Sequence, residues 1–127
     1  MKSDFRNLEI WKMARALRKD LRSLCDKLPT VEHYRLSDQI IRAARSVTAN
    51  IAEGYGRYHY QENIQFCRVS RGSLYEILDH LTVCTDEGYI SDEIFREFEF
   101  KIENIVKKLN GYIKYLKHQR SLENDKT

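Results

Sequence analysis

One long apolar pattern near the carboxyl end of the chain most constrains what it can fold into. From position 95 to 116, apolar side chains recur at alternating intervals of three and four residues without a break. This spacing places them on one face of an α-helix, as in a heptad seam. Ser91 is predicted to cap the helix, because a serine at this position accepts a hydrogen bond from the first turn. The seam residues are Phe95, Phe98, Ile102, Ile105, Leu109, Tyr112 and Leu116.

Three shorter patterns of the same kind precede this seam. They predict helices over about residues 8–28, 36–52 and 60–85, with ends near Pro29, Gly54 and Gly88. One proline and five glycines are too few for a turn-rich β-sandwich or barrel. Connections of roughly four to eight residues favour antiparallel neighbours. The sequence therefore predicts an all-α fold, an antiparallel up-down four-helix bundle.

At 127 residues the chain has the size of one domain. We predict a single four-helix-bundle domain over residues 1–127, with an ordered core over about 4–118 and a polar tail over 119–127. Asn7 and Ser37 are expected to cap the first two helices. Gly72 and Gly111 lie inside predicted helices, where glycine is unfavourable, so a neighbouring helix is expected to pack closely against each of them.

The terminal and cysteine patterns bear on the compartment. The N-terminus lacks the apolar run of a signal peptide, and no segment approaches the roughly 18 apolar residues of a membrane span. Cys25, Cys67 and Cys84 are odd in number and widely spaced, without a C-x-x-C motif. Buried thiols in a reducing compartment are therefore favoured over disulfides or a zinc site. The prediction is a cytoplasmic protein that does not contact a membrane.

No catalytic, cofactor-binding or metal-binding residues are predicted. The sequence has no H-E-x-x-H motif, no P-loop and no complete G-x-G-x-x-G, and no Glu is followed by a His three residues later. A nucleophile–base pair of His80 with Cys67 or Cys84 is disfavoured, because no third group orients the histidine. The prediction is a non-enzymatic protein without a cofactor.

Basic side chains form a candidate nucleic-acid-binding surface. The net charge of +3 permits contact with nucleic acid without requiring it. On the first helix, basic residues recur at intervals of three and four and form one stripe. Such a stripe can contact phosphates, whereas an ordinary solvated face is the better interpretation for a lone monomer. The candidate residues are Lys12, Arg15, Arg18, Lys19, Arg22, Arg42 and Arg45.

Two further clusters are singled out. The first is a predicted polar network between helices that fixes their register or builds an interface, with a small polar ligand site as the alternative. Its residues are Asn50, Glu53, Arg71, Ser73 and Glu76. The second cluster mixes aromatic and basic groups. It is suited equally to stacking on unpaired bases and to covering the core at a helix corner. Its residues are Tyr55, Arg57, Tyr58, His59 and Tyr60.

Four motifs come in an order and spacing that resemble a known family. They are F-R-N-L-E-I-W at 5–11, Q-I-I-R-A-A-R-S-V at 39–47, A-N-I-A-E-G-Y-G-R at 49–57 and R-G-S-L-Y-E at 71–76. Over about residues 4–118 the chain resembles the bacterial four-helix-bundle proteins encoded in intervening sequences of 23S ribosomal RNA genes, often labelled ribosomal proteins. The A-N-I-A-E-G motif is the specific part of this resemblance.

The resemblance implies an up-down four-helix bundle that assembles as a homopentameric ring. The family has no established activity. It is similar to the accessory subunit of diversity-generating retroelements, a basic pentamer that binds nucleic acid and a reverse transcriptase.

We therefore predict a non-enzymatic homo-oligomer, most readily a pentamer. It binds structured RNA or DNA through the first helix. The alternative is a protein–protein scaffold or accessory subunit that binds a protein partner and no nucleic acid. The candidate subunit interface consists of Phe5, Leu8, Trp11 and Tyr55, because large aromatic anchors are common at interfaces.

Overall fold

A computed structural model describes residues 3–126, and over this range the protein contains helices and no strands. Consecutive helices pack against one another, and α1 also contacts α4, which closes a four-helix bundle. The order of contacts is antiparallel, since Ser46 of α2 meets Ser73 of α3 whereas Gly54 meets Asn63. The predicted fold class is confirmed. The helices are α1 (Glu9–Cys25), α2 (Leu36–Tyr55), α3 (Tyr60–Asp86) and α4 (Asp92–Asp125), and 3₁₀ turns lie at Phe5–Asn7 and Thr30–Glu32.

One hydrophobic core runs along the bundle axis. Leu21, Ile40, Leu74 and Leu109, one from each helix, are fully buried. The predicted seam of α4 faces this core. Five of its residues are buried, and Phe95 and Tyr112 are partly buried at its edges. Burial of apolar surface along this seam therefore holds α4 in the bundle.

The predicted end of α3 at Gly88 is confirmed. The Tyr89 amide donates to the Cys84 carbonyl oxygen at 2.8 Å, and the Gly88 amide donates to the Thr85 carbonyl oxygen at 3.0 Å. This is the Schellman pairing of a helix C-terminus. Gly88 has a φ of 76°, a left-handed conformation that glycine adopts without a Cβ clash.

The three predicted N-caps have different outcomes. Ser91 caps α4 as predicted, since its Oγ accepts from the Ile94 amide at 3.1 Å. The prediction for Asn7 is wrong: it belongs to a 3₁₀ turn, and Leu8 occupies the N-cap of α1 without a side-chain hydrogen bond. The prediction for Ser37 is also wrong, because it lies inside α2. Its buried hydroxyl has no hydrogen-bond partner among residues 3–126.

Among the helical glycines, the one packed closely against another helix is Gly54, which was not predicted to be. A Cβ on Gly54 would lie 2.7 Å from Asn63 Oδ1 and 2.9 Å from Phe66 Cβ, so α3 crosses α2 where glycine leaves room. A Cβ on Gly72 or Gly111 would meet nothing within 4 Å. The predicted close packing at those two glycines is therefore wrong within a single chain.

The fourth helix is much longer than the first. It has 34 residues, or about 51 Å, against 17 residues in α1. It continues as helix through the polar residues 119–125, where Arg120 donates a hydrogen bond to Gln61 of α3. None of the helices within residues 3–126 is both long and apolar enough to cross a membrane.

Candidate nucleic-acid interface

Basic residues predicted on separate helices meet at the seam between α1 and α2. Residues 18 and 22 lie one turn apart on α1 and face the same side as Arg45 of α2. The groove between the two helices has a volume of about 180 Å³. We call it the basic groove. Its lining consists of Arg18, Lys19, Arg22 and Arg45, with the apolar Ile41 and Ala44 between them.

Arg18 is fixed within this groove by a hydrogen bond to the neighbouring helix. Its Nη1 donates to Thr48 Oγ1 at 2.8 Å, and Thr48 Oγ1 donates to the Arg45 carbonyl oxygen at 3.2 Å. The guanidinium is partly buried, so part of its rotamer entropy is already lost in the free protein. Binding an anion here therefore costs less ordering than at a mobile surface arginine.

The other cations of the groove and of the α1 stripe are exposed. Lys12 and Arg15 continue it towards the N-terminus, and the Arg15 guanidinium lies 5.7 Å from the Trp11 ring centroid. Arg22 Nε is 3.7 Å from Asp26 Oδ1. Within residues 3–126, Lys12, Arg15, Lys19 and Arg45 form no salt bridge. These four charges are thus available to an anionic ligand.

Arg42 does not join the basic groove. It lies three residues before Arg45 but lines no part of the groove, and its Nη1 is 3.9 Å from Asp38 Oδ2. It lines a separate pocket between α2 and α3 with Gln39, Ser46 and Glu76. Of the seven predicted basic residues, four therefore line the basic groove. Lys12 and Arg15 continue the basic surface along α1, and Arg42 lies apart from it.

A polar contact between α2 and α3 joins two residues of the predicted network. Asn50 Nδ2 donates to the Ser46 carbonyl oxygen at 2.8 Å and to Ser46 Oγ at 3.0 Å. Ser73 Oγ donates to the same Ser46 Oγ at 2.9 Å. Ser46 is a residue that the sequence analysis missed, although its position one turn before Asn50 signalled it.

The other three residues of that prediction make separate contacts. Glu53 pairs with Arg57 at 3.0 Å, and Glu76 lies 3.2 Å from His80. Arg71 donates to Asn110 Oδ1 of α4 at 2.7 Å. The five residues therefore do not form one continuous network.

The three cysteines are free and buried. Burial raises the pKa of Cys25 to about 11, of Cys67 to about 12 and of Cys84 to about 11. Because the thiolate is the nucleophile and the metal ligand, burial makes these thiols poor nucleophiles at neutral pH. Residues 3–126 contain no group of three or more His, Cys, Asp or Glu side chains arranged to hold a metal ion.

The predicted interface residues lie near the start of α1 and the end of α2. Phe5 and Trp11 pack edge to face, with ring centroids 5.2 Å apart. Leu8 and Trp11 are partly buried against the core. Tyr55 is 39% exposed.

The predicted aromatic and basic cluster comes together at the corner between α2 and α3. All five of its residues line one cavity of about 250 Å³, and α4 closes the other side. We call this cavity the corner basin. It is lined by Tyr55, Arg57, Tyr58, His59, Tyr60, Asn63, Tyr112, Tyr115 and Leu116.

A solved structure shares this arrangement of helices. It is the crystal structure of a protein of unknown function from the S23 ribosomal protein family of Bacteroides thetaiotaomicron VPI-5482. It superimposes with a TM-score of 0.76 at 21% sequence identity, covering 83% of this chain and 95% of that chain. At this identity the likeness supports the fold alone. No curated protein matches the chain in sequence.

The sequence itself matches a family profile described as 23S rRNA-intervening sequence protein over residues 6–111. This range covers α1, α2 and α3 and the part of α4 up to residue 111, and it includes the basic groove and most of the corner basin. The chain therefore belongs to the 23S rRNA-intervening sequence protein family.

Proposed function

We propose that this protein is a non-enzymatic homo-oligomer that binds the phosphates of structured RNA or DNA through the basic groove. The observation that carries the proposal is the convergence of four cations from two helices on one seam, with Arg18 held in place by Thr48. Two further cations, Lys12 and Arg15, extend this surface along α1.

The mechanism would be phosphate neutralisation with release of counterions. Each neutralised phosphate adds about 0.7 to 0.9 to the slope of log affinity against log salt. Arginine presents a planar fork of donors that matches a phosphate, and the Arg18 fork is already oriented. Phosphate contacts carry no base sequence, so specificity would come from nucleic-acid shape or from a partner.

Oligomerisation would strengthen this binding. One subunit has a modest net charge of +3, whereas several copies around a ring would add their fields. We assign the subunit contact to Phe5, Leu8, Trp11 and Tyr55. The family resemblance makes a homopentamer the expected assembly. The cytoplasm is the expected compartment, since it would keep the three thiols reduced.

Anisotropy of a labelled hairpin RNA, measured against the nuclease-treated protein across a salt series, tests the proposal. The test variant carries Lys19→Glu, Arg22→Glu and Arg45→Glu. The control carries Arg68→Glu, Arg96→Glu and Lys107→Glu, which make the same charge change at exposed sites outside the groove. We expect the test variant to lose affinity and about 2 to 3 units of salt slope, beyond any loss in the control. No binding by the natural protein at low salt, or equal losses in both variants, would contradict the proposal.

A protein–protein scaffold or accessory subunit is the second candidate function. It is favoured by an apolar groove of about 430 Å³ between α1 and α4, where the Phe100 ring is 65% exposed. This function would be supported if RNA binding were absent and a stoichiometric protein partner survived nuclease treatment. Loss of that partner in Phe100→Lys would place the contact in this groove.

A further inference from the structure

The corner basin is lined by aromatic side chains, which have no role in phosphate binding by the basic groove. We infer that the basin stacks an unpaired nucleobase of the same strand whose phosphates lie in the basic groove. This inference rests on the proposed function and specifies its substrate class, a nucleic acid with unpaired bases next to a backbone-contacting segment.

The sequence left two roles open for the aromatic rings of this cluster, covering the core and stacking on bases. The exposure of each ring indicates which role it suits. Tyr60 and Tyr112 are partly buried against the core, so they cover the helix corner. Tyr58 is 88% exposed and Tyr115 is 54% exposed, so much of each ring is open to solvent. Aromatic rings with an accessible face provide platforms on which bases stack.

Contacts within the basin hold several of its rings in place. Tyr58 meets the His59 ring edge to face, with centroids 4.8 Å apart. Tyr112 and Tyr115 lie 6.1 Å apart with nearly parallel planes, 20° from each other. Asn63 Nδ2 donates to the Tyr112 hydroxyl at 3.2 Å. Ordered rings lose little entropy when a base is added to the stack.

The charges in the basin favour a base over a phosphate. Its arginine, Arg57, lies 3.0 Å from Glu53 and 3.5 Å from Glu62, and its guanidinium also stacks over the Phe66 ring at 5.0 Å. Two carboxylates thus neutralise this cation. What remains for a ligand is a set of ring faces and exposed tyrosine hydroxyl groups, and these are groups that recognise bases.

The basin and the basic groove lie along one stripe of α2. Ile41, Arg45, Thr48, Ala52 and Tyr55 follow one another at intervals of four, three, four and three residues. Tyr55 lines the basin, and Arg45 and Ile41 line the groove. Ten residues of helix separate Arg45 from Tyr55, which is about 15 Å. Single-strand sites span about 4 to 16 nucleotides, so one strand reaches both sites.

Two RNA probes test this inference in anisotropy titrations of the full chain. One is a hairpin with an unpaired loop, and the other is a blunt duplex with the same stem. The test variant carries Tyr58→Ala and Tyr115→Ala. The control carries Tyr34→Ala and Tyr75→Ala, at tyrosines that are 95% and 55% exposed outside the basin. Thermal melting verifies that every variant is folded.

We expect the natural protein to prefer the hairpin. The test variant should bind the hairpin about 5- to 150-fold more weakly, the loss that corresponds to removal of one stacked base. Its duplex affinity should be unchanged, and the control should match the natural protein on both probes. Tyr58→Phe with Tyr115→Phe should retain the hairpin preference, because a phenyl ring still stacks.

The contrary outcomes separate the two proposals. Unchanged hairpin affinity in the test variant, with groove-dependent binding intact, would overturn the basin inference and leave the proposed function standing. Absence of binding to both probes at low salt would overturn both. A lower sedimenting mass in the test variant would also overturn the inference, because Tyr58 and Tyr115 would then belong with Tyr55 to the subunit contact.

Discussion

Two helix pairs of the bundle pack differently: α2 and α3 are in close contact, whereas α1 and α4 are separated by a groove. Between α2 and α3, Gly54 brings the backbones together, and Ser73 bonds to Ser46. Ser70 Oγ also donates to the Val47 carbonyl oxygen at 2.9 Å. Small side chains here permit close approach, and their hydroxyl groups are paired across the interface.

The α1–α4 seam leaves an open groove instead. This groove has a volume of about 430 Å³ and is lined by Met13 and Leu17 of α1 and by Phe100 and Ile105 of α4. At its surface, Lys101 Nζ lies 3.0 Å from Asp20 Oδ2. The side chains of these two helices leave part of the space between them unfilled. The comparison shows that α2 and α3 pack closely, whereas the groove between α1 and α4 remains open.

Truncation of buried leucines should give the largest effect and test this difference. Leu→Ala substitutions in cores cost about 2 to 5 kcal/mol, more where the cavity stays empty and enclosed. Leu74→Ala, at a fully buried site on α3, should lie near the upper end of this range. Leu17→Ala, which borders the groove, should lie near the lower end. Urea denaturation measures both, and equal costs would remove the distinction between the two regions.

The same chemical change at two glycines should have opposite signs. Gly54→Ala should lower the free energy of unfolding by about 1 to 3 kcal/mol, because the new Cβ overlaps Phe66 and Asn63. Gly72→Ala should raise it by up to about 1 kcal/mol, since the site is open and alanine favours helix. Thermal denaturation of the two variants and of the natural protein measures both changes. Stabilisation by Gly54→Ala would show that α2 and α3 do not cross closely there.

Ser73→Ala should have a smaller effect. It removes the donor to Ser46, whose hydroxyl still accepts from Asn50, so the expected cost is about 0.5 to 1.5 kcal/mol. Thr82→Ala is the control, because Thr82 bonds within its own helix and is exposed. The same denaturation midpoint in both variants would show that the Ser46–Ser73 bond contributes nothing to this interface.

Lys101→Ala should have the smallest effect. Its ion pair with Asp20 is half exposed, and such pairs contribute about 0 to 1 kcal/mol. The loss should disappear at high salt. A larger, salt-independent loss would mean that the lysine stem packs against Phe98, whose ring lies 5.2 Å from its Nζ.

The helices could be predicted from sequence because each depends on local spacing. The seam of α4, its Ser91 cap and the Gly88 terminus follow from neighbours a few residues apart. The close approach at Gly54 could not be predicted, because the sequence shows where a Cβ is missing and not which helix passes there. Gly72 and Gly111 have the same signal and face open space.

The candidate site follows the same division. The α1 stripe could be predicted because its residues share one helix face. The separation of Arg42 from Arg45 could not, since it depends on which side of α2 faces α1. Ser46 was missed as the centre of the polar contact because its role requires a donor from another helix.

The three buried thiols provide probes of local unfolding at different places in the bundle. Cys25 lies in α1, and Cys67 and Cys84 lie in α3, each at most 3% exposed. Because burial also disfavours their ionised forms, a thiol reagent reacts only when the surrounding helices separate. The labelling rate of Cys25 therefore reports how often α1 separates from the bundle. The labelling rates of Cys67 and Cys84 report how often α3 separates from its neighbours.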